Sequence, residues 1–353
     1  MPPTTASPPP CGPRTSAART ASPSASRSAS AGSTAGSCAT CAPPSAAPRP
    51  RASAARAACI RWSSTPSSAT SASSSEDTAV TNPEIAHSVR TGGFATNVHD
   101  LGQGAPVLLI HGSGPGVSAW ANWRLVLPVL AASRRAIAPD MAGFGFTERV
   151  PGAAHDMDGW VRQALDLLDA LDIERTDLIG NSFGGALALA LAIRAPQRVR
   201  RLVLMGSVGV PFAITPGLDA VWGYTPSFEN MRRIMDVFAF DRTLVSDELA
   251  QLRYEASIRP GFQESFGAMF PAPRQRWVDA LASPEADIRA LPHRTLLIHG
   301  REDRVIPLAT SLTLSEWIAD SQLHVFGRCG HWTQIEHAAR FARLVGDFLA
   351  EAD

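Results

Sequence analysis

Residues 178–189 read LIGNSFGGALAL. Leu178 and Ile179 run into a serine set between glycines, Gly180-Asn181-Ser182-Phe183-Gly184, and the chain leaves through an alanine-leucine run that stops at Pro196. A turn that needed only flexibility would not need Ser182. A nucleophile needs both the serine and the glycines. G-x-S-x-G between a strand and a helix makes a turn so tight that the residues two before and two after the serine have to be small. The hydroxyl then protrudes at the carboxyl end of the sheet. The helix N-terminus behind it favours negative charge, which suits a developing oxyanion. The competing reading, a glycine-rich turn with an idle serine, has to be decided by partners elsewhere in the chain.

Working outward, short apolar runs alternate with helical stretches. Residues 107–110, 136–138, 178–179, 202–205, 296–298 and 323–326 read as buried strands, because near-continuous apolar runs belong to parallel strands covered on both faces. Residues 160–171 carry apolar side chains at helical spacing, and residues 186–195 form a strong helix ended by Pro196. Residues 93–102 read as a preceding hairpin strand. The alternation predicts an α/β fold with a mostly parallel central sheet flanked by helices. Between about residues 211 and 283 no strand is legible. SFENMRRIMDVFAF (227–240) and SDELAQLRYEASI (246–258) read as helices, the second capped by Ser246. Helices inserted between two sheet strands predict a lid over the strand ends.

A serine is a poor nucleophile without a base. On such a sheet the order is Ser, acid, His. Of the late histidines, His324 lies inside a strand and His337 in a helical stretch, whereas His331 sits in the turn Gly330-His331-Trp332 just after the last strand. His331 is the expected base. The acid should follow the preceding strand, where LLIHGREDRVIP offers Glu302 and Asp303. Asp303 is expected to fix the imidazole tautomer. Its rival, Asp140, suits a loop-fixing hydrogen-bond network. Two backbone N–H donors are expected for the oxyanion, from Phe183 and from Ser113 in the loop HGSGPG (111–116). That loop lacks the lysine of a Walker motif and the spacing of GxGxxG, which argues against a phosphate cradle.

Composition bounds the remaining classes. The chain has 353 residues and no lysine, and its net charge is zero. The charge is unevenly placed: residues 1–75 hold seven arginines and no acid, so all 32 acids fall in the body with the other 25 arginines. An acidic body argues against a nucleic-acid face, and no apolar run is long enough to span a membrane. Residues 1–79, rich in Ala, Ser, Pro and Arg, bury too little to offset their ordering entropy and read as a disordered tail. A transit peptide, a linker tail and upstream sequence from a mis-assigned start compete for it; the last is preferred, with Val80 as an alternative initiator. Cys38 and Cys41 have metal-ligand spacing but no histidine precedes His87, so no metal is expected. The body holds one cysteine, Cys329, which fits a reducing cytoplasm.

From about Val80 to the C-terminus, HGSGPGVSAWANWR, APDMAGFGFTE, GNSFGG, HGREDRVIP and CGHW together resemble the α/β-hydrolase meta-cleavage product hydrolases, in their 2-hydroxymuconate-semialdehyde hydrolase branch. The resemblance implies hydrolysis of a C–C bond in a ring-fission product of a catechol, giving 2-hydroxypenta-2,4-dienoate and a small carboxylic acid. It implies no cofactor and assembly into homo-oligomers. It also implies that Arg253, Asn122 and Asn181 contact the carboxylate and 2-oxo end and that Trp332 lies beside the catalytic histidine. Each has a plainer alternative: Arg253 as a solvated helix arginine, Asn122 as the cap of a helix over 123–130, Trp332 as core packing. Phe183 after the serine looks more like the small-acyl branch than the phenyl-substituted one. A serine esterase or perhydrolase on the same triad is the alternative activity, and a silent ligand receptor the third reading.

Overall fold

The structure is a computed structural model that describes residues 82–150, 152 and 155–352. The expectations for the tail, including Cys38 and Cys41, lie outside the described residues. Eight strands form one sheet: β1 His87–Thr91, β2 Phe94–Leu101, β3 Pro106–Ile110, β4 Arg135–Pro139, β5 Thr176–Asn181, β6 Val199–Met205, β7 Thr295–Gly300 and β8 Ser321–Phe326. Their spatial order is β1-β2-β4-β3-β5-β6-β7-β8. The first hairpin runs antiparallel to the rest, and β4, β3 and β5 to β8 are parallel. The sheet core is built from fully buried runs such as Val107 to Ile110 and Leu202 to Met205. Each such aliphatic side chain contributes about 1.5–3 kcal/mol on burial.

The Phe183–Arg194 helix is apolar on every face and buried from Phe183 to Ala192, the pattern of a helix enclosed by other layers. Against it lies the amphipathic Met157–Ala170 helix, begun by Asp156, whose carboxylate accepts from the Gly159 N–H at 2.8 Å. Between β6 and β7 the described chain is helical, including Pro216–Trp222, Phe228–Phe238, Asp247–Ser257 and Phe262–Met269. Ser246 caps the third of these by accepting from the Leu249 N–H at 3.1 Å.

Local detail departs from expectation near Asn122. Residues 123–130 are not one helix. Ala119–Trp123 and Leu127–Ala131 are separate, because Pro128, in the first turn of the second, has no N–H with which to continue the first. Ser118 caps the first, so Asn122 lies inside a helix and caps nothing. No helix among the described residues is long and apolar enough to cross a membrane.

Strand order positions the site. From β3 the chain passes to β4 on one side, and β5 then pairs β3 on the other. Loops leaving the carboxyl ends of β3 and β5 therefore diverge around a crevice, the place where open α/β sheets bind ligands.

Candidate active site

Ser182 follows β5 at the head of the buried helix with φ 55° and ψ −115°, a left-handed backbone rare for a residue with a side chain. The flanking glycines make it possible. A Cβ on Gly180 would stand 2.4 Å from the Gly184 carbonyl oxygen, and one on Gly184 would stand 2.2 Å from that of Ile110. The Ser182 carbonyl accepts from the N–H groups of Gly185 and Val208 at 3.0 and 3.1 Å. In a trans peptide the next N–H points the opposite way, so that of Phe183 leaves the helix N-terminus toward the carboxyl end of the sheet.

The same logic orients the other expected donor. His111 is fully buried, its Nδ1 2.8 Å from the Gly112 carbonyl and its Nε2 2.9 Å from the Met141 N–H. The ring is therefore neutral, donating through Nδ1 and accepting at Nε2, and burial lowers its pKa. Because the Gly112 carbonyl faces that ring, the Ser113 N–H faces away from it. Among the described residues neither the Ser113 nor the Phe183 N–H has a hydrogen-bond partner. The Ser113 hydroxyl accepts from Trp222 Nε1 at 2.9 Å, a contact from the inserted helices that sequence did not reveal.

Asp303 leaves β7 in a loop that fixes both oxygens. Oδ1 accepts from the N–H groups of Val305 and Ile306 at 2.7 and 2.9 Å; Oδ2 accepts from His331 Nδ1 at 2.7 Å. Burial pushes the Asp303 carboxyl up, but the His331 charge and hydrogen bond, with His299 and the Ile306 N–H, outweigh it and hold it below the usual carboxylate range. With Nδ1 donating, His331 keeps Nε2 as the basic nitrogen. Ser182 and His331 line one cavity. Phe238 of the inserted helices stacks on the His331 ring at 5.7 Å and on Trp332 at 5.1 Å, and its carbonyl accepts from the His331 N–H at 2.7 Å.

The rivals lie elsewhere. Asp140 is fully buried and accepts from Ala119 N, Phe146 N and Asn97 Nδ2, which is the loop-fixing network expected of it. Glu302 accepts from the Cys329 N–H. His324 and His337 both pack against Phe326.

The cavity has a polar and an apolar lining. Asn122, Asn181, Arg253 and Trp332 all line it, and Asn181 Nδ2 donates to Asn122 Oδ1 at 3.2 Å. Asn181 Oδ1 is buried with no partner among the described residues. Arg253 is no solvated helix arginine. Its guanidinium is paired with the buried Glu84 and donates to the Gly116 carbonyl at 3.3 Å, while Ser118 donates to Glu84 at 2.7 Å. Arg124, which sequence reading passed over, also lines the cavity. Leu218, Val221, Met231, Met235 and Val305 form the apolar part.

A family model described as the alpha/beta hydrolase fold matches residues 105–338. The chain is 72% identical over 272 residues to the 2-hydroxymuconate semialdehyde hydrolase of Pseudomonas sp. strain CF600, covering 77% of this chain and 96% of that one. It is 66% identical to the 2-hydroxy-6-oxo-2,4-heptadienoate hydrolase of Pseudomonas putida strain F1, covering 77% and 99%. Among solved structures, a mutant of the meta-cleavage product hydrolase from Pseudomonas fluorescens IP01, complexed with acetates, is 61% identical with a TM-score of 0.76, covering 77% of this chain and 100% of that one.

Proposed function

We propose that this enzyme, which belongs to the alpha/beta hydrolase family and within it to the meta-cleavage product hydrolases, cleaves the C–C bond of 2-hydroxymuconate semialdehyde or a 6-alkyl-2-hydroxy-6-oxohexa-2,4-dienoate. The products are 2-hydroxypenta-2,4-dienoate and a small carboxylic acid. The observation that carries the reading is the Asp303–His331 pair at 2.7 Å on the cavity that also holds Ser182.

In this scheme the dienol first becomes its keto tautomer, so that the dienyl fragment can leave as a stabilised carbanion equivalent. Ser182 Oγ adds to the remote carbonyl carbon while His331 Nε2 takes its proton. The N–H groups of Phe183 and Ser113 receive the oxyanion, supported by the orientation of both peptides. Collapse breaks the bond between that carbon and the dienyl fragment, the electron pair passes into the 2-oxo diene, and His331 returns the proton to the leaving carbon. Water, deprotonated by His331, then releases the acyl group as a carboxylic acid. Asp303 holds the imidazole tautomer and stabilises its cation. Asn122, Asn181 and Arg253 serve the carboxylate and 2-oxo end, and Trp332 packs beside the catalytic ring.

Bleaching of the yellow ring-fission product by the purified chain tests this directly. Turnover of p-nitrophenyl esters with an untouched yellow dienolate would replace it by the esterase reading. Assembly into homo-oligomers, tested by light scattering, and a cytoplasmic location are proposed alongside it. The second rests on Cys329 being the body's one cysteine and free.

A further inference from the structure

The polar lining of the cavity holds two guanidinium groups in different electrostatic states. Arg253 is neutralised: Glu84 is buried beside it, and Arg253 and Ser118 both donate to that carboxylate. Glu84, paired with Arg253, acts on Arg124 only through space, and Arg124 makes no salt bridge among the described residues. Its recorded hydrogen bond runs from Nη1 to the Ala121 carbonyl at 2.7 Å, and a neutral carbonyl cancels no charge. It sits two residues after Asn122, on the cavity that Ser182 and His331 line.

We propose, resting on the reaction assigned above, that Arg124 supplies the net positive charge that receives the substrate's carboxylate, while Arg253 acts there as a hydrogen-bond donor whose charge Glu84 cancels. The alternative is that Arg253 alone holds the anion. It would then have to leave Glu84 or share itself between two carboxylates, one of them buried, and a buried carboxylate losing its partner is strongly disfavoured. Arg124 needs to leave nothing. Burial and the neighbouring Arg253 charge lower its pKa, with Glu84 offsetting them in part, although an arginine stays protonated throughout. An arriving carboxylate relieves both penalties. The arrangement also explains why loss of Arg253 would mislead: it strands the Glu84 charge next to the incoming anion, so Arg253→Gln injures binding whether or not Arg253 touches substrate.

The test uses the full chain and three variants: Arg124→Gln, Arg124→Lys, and Glu84→Gln with Arg253→Gln together. The readouts are kcat/KM for 2-hydroxymuconate semialdehyde, kcat/KM for neutral p-nitrophenyl acetate, and competitive inhibition of that ester hydrolysis by hexa-2,4-dienoate. Arg124→Gln is expected to lose about tenfold or more on the dienoate relative to its change on the ester, mostly through KM, and to weaken the inhibitor similarly. Arg124→Lys should recover part of both. The paired variant removes one charge of each sign and should retain more affinity for the inhibitor than Arg124→Gln does. Equal losses of Arg124→Gln on the anion and the ester would overturn the proposal, as would a paired variant weaker than Arg124→Gln. Should the wild type bind hexa-2,4-dienoate through Arg124 yet leave the yellow substrate intact, the reaction assignment fails and the anion site stands.

Discussion

At the scale of single residues, the site depends on Ser182 being held in a backbone conformation that its neighbours enforce. Ser182→Ala removes one oxygen and leaves φ at 55° unchanged. We expect kcat/KM to fall by roughly 10³–10⁶-fold, with the far-UV circular dichroism spectrum superimposable on wild type. Retention of near-full turnover would refute the nucleophile. Asp303 makes a prediction in stability as well as rate. Its folded pKa lies below the ordinary carboxylate value, so its charge stabilises the fold above the unfolded pKa, and that contribution is lost as pH falls through the folded one. Asp303→Asn should therefore cost stability near neutral pH, and the gap to wild type should narrow as pH is lowered below about 4, toward the depressed folded value. Urea unfolding at a series of pH values measures it, and a gap independent of pH would mean that folding does not shift the carboxyl's pKa. Cys329 behaves oppositely. Burial pushes its thiol up to about 12, so a thiol reagent at pH 8 should label it only after denaturant is added.

At the scale of elements, the site is an agreement between loops, and its weak points are the contacts where they meet. Gly184 lies where the nucleophile helix passes the end of β3. A methyl group there would meet the Ile110 carbonyl oxygen at 2.2 Å and that of His111 at 2.6 Å. Gly184→Ala should cost about 1–3 kcal/mol or more, since backbone cannot move aside as a side chain can. Glu336 joins the His331 loop to the inserted helices: one oxygen accepts from the Gly330 N–H at 2.7 Å, the other from Phe240 and Asp241 at 2.9 Å. Glu336→Ala should lower the melting temperature and kcat together, because the same bonds hold the fold and the His331 loop. An activity loss without a thermal shift would place Glu336 in the chemistry instead. These contacts show why legibility was uneven. The placement of Ser182, Asp303 and His331 at strand ends was readable because each has punctuation around it. The start of the helix after Ser182 was read three residues late, since its first glycines look like a turn. Glu84, Arg124 and Phe238 left no such mark. The Glu84–Arg253 pair spans 169 positions, and no local periodicity encodes a partner that far away.

At the scale of the whole molecule, the alternation of apolar runs and helices made the α/β class legible, because strands covered on both faces can hardly be anything but apolar. Strand order was not legible from single elements: nothing within β3, β4 or β5 says which of its neighbours it will pair. That order is what opens the crevice beside Ser182. Every residue of the proposed site lies between Glu84 and Ile335. The relatives compared above align over 77% of this chain while covering 96–99% of their own length. We therefore expect a chain shortened to begin at Val80 to fold and to hydrolyse the ring-fission product with kcat/KM within about twofold of the full chain. Its urea midpoint should be unchanged, because those relatives are covered almost to their full length by 77% of this chain. A shortened chain that unfolds, or that loses activity while remaining folded, would show that residues 1–79 contribute to the working enzyme and would end the reading of that segment as a dispensable tail.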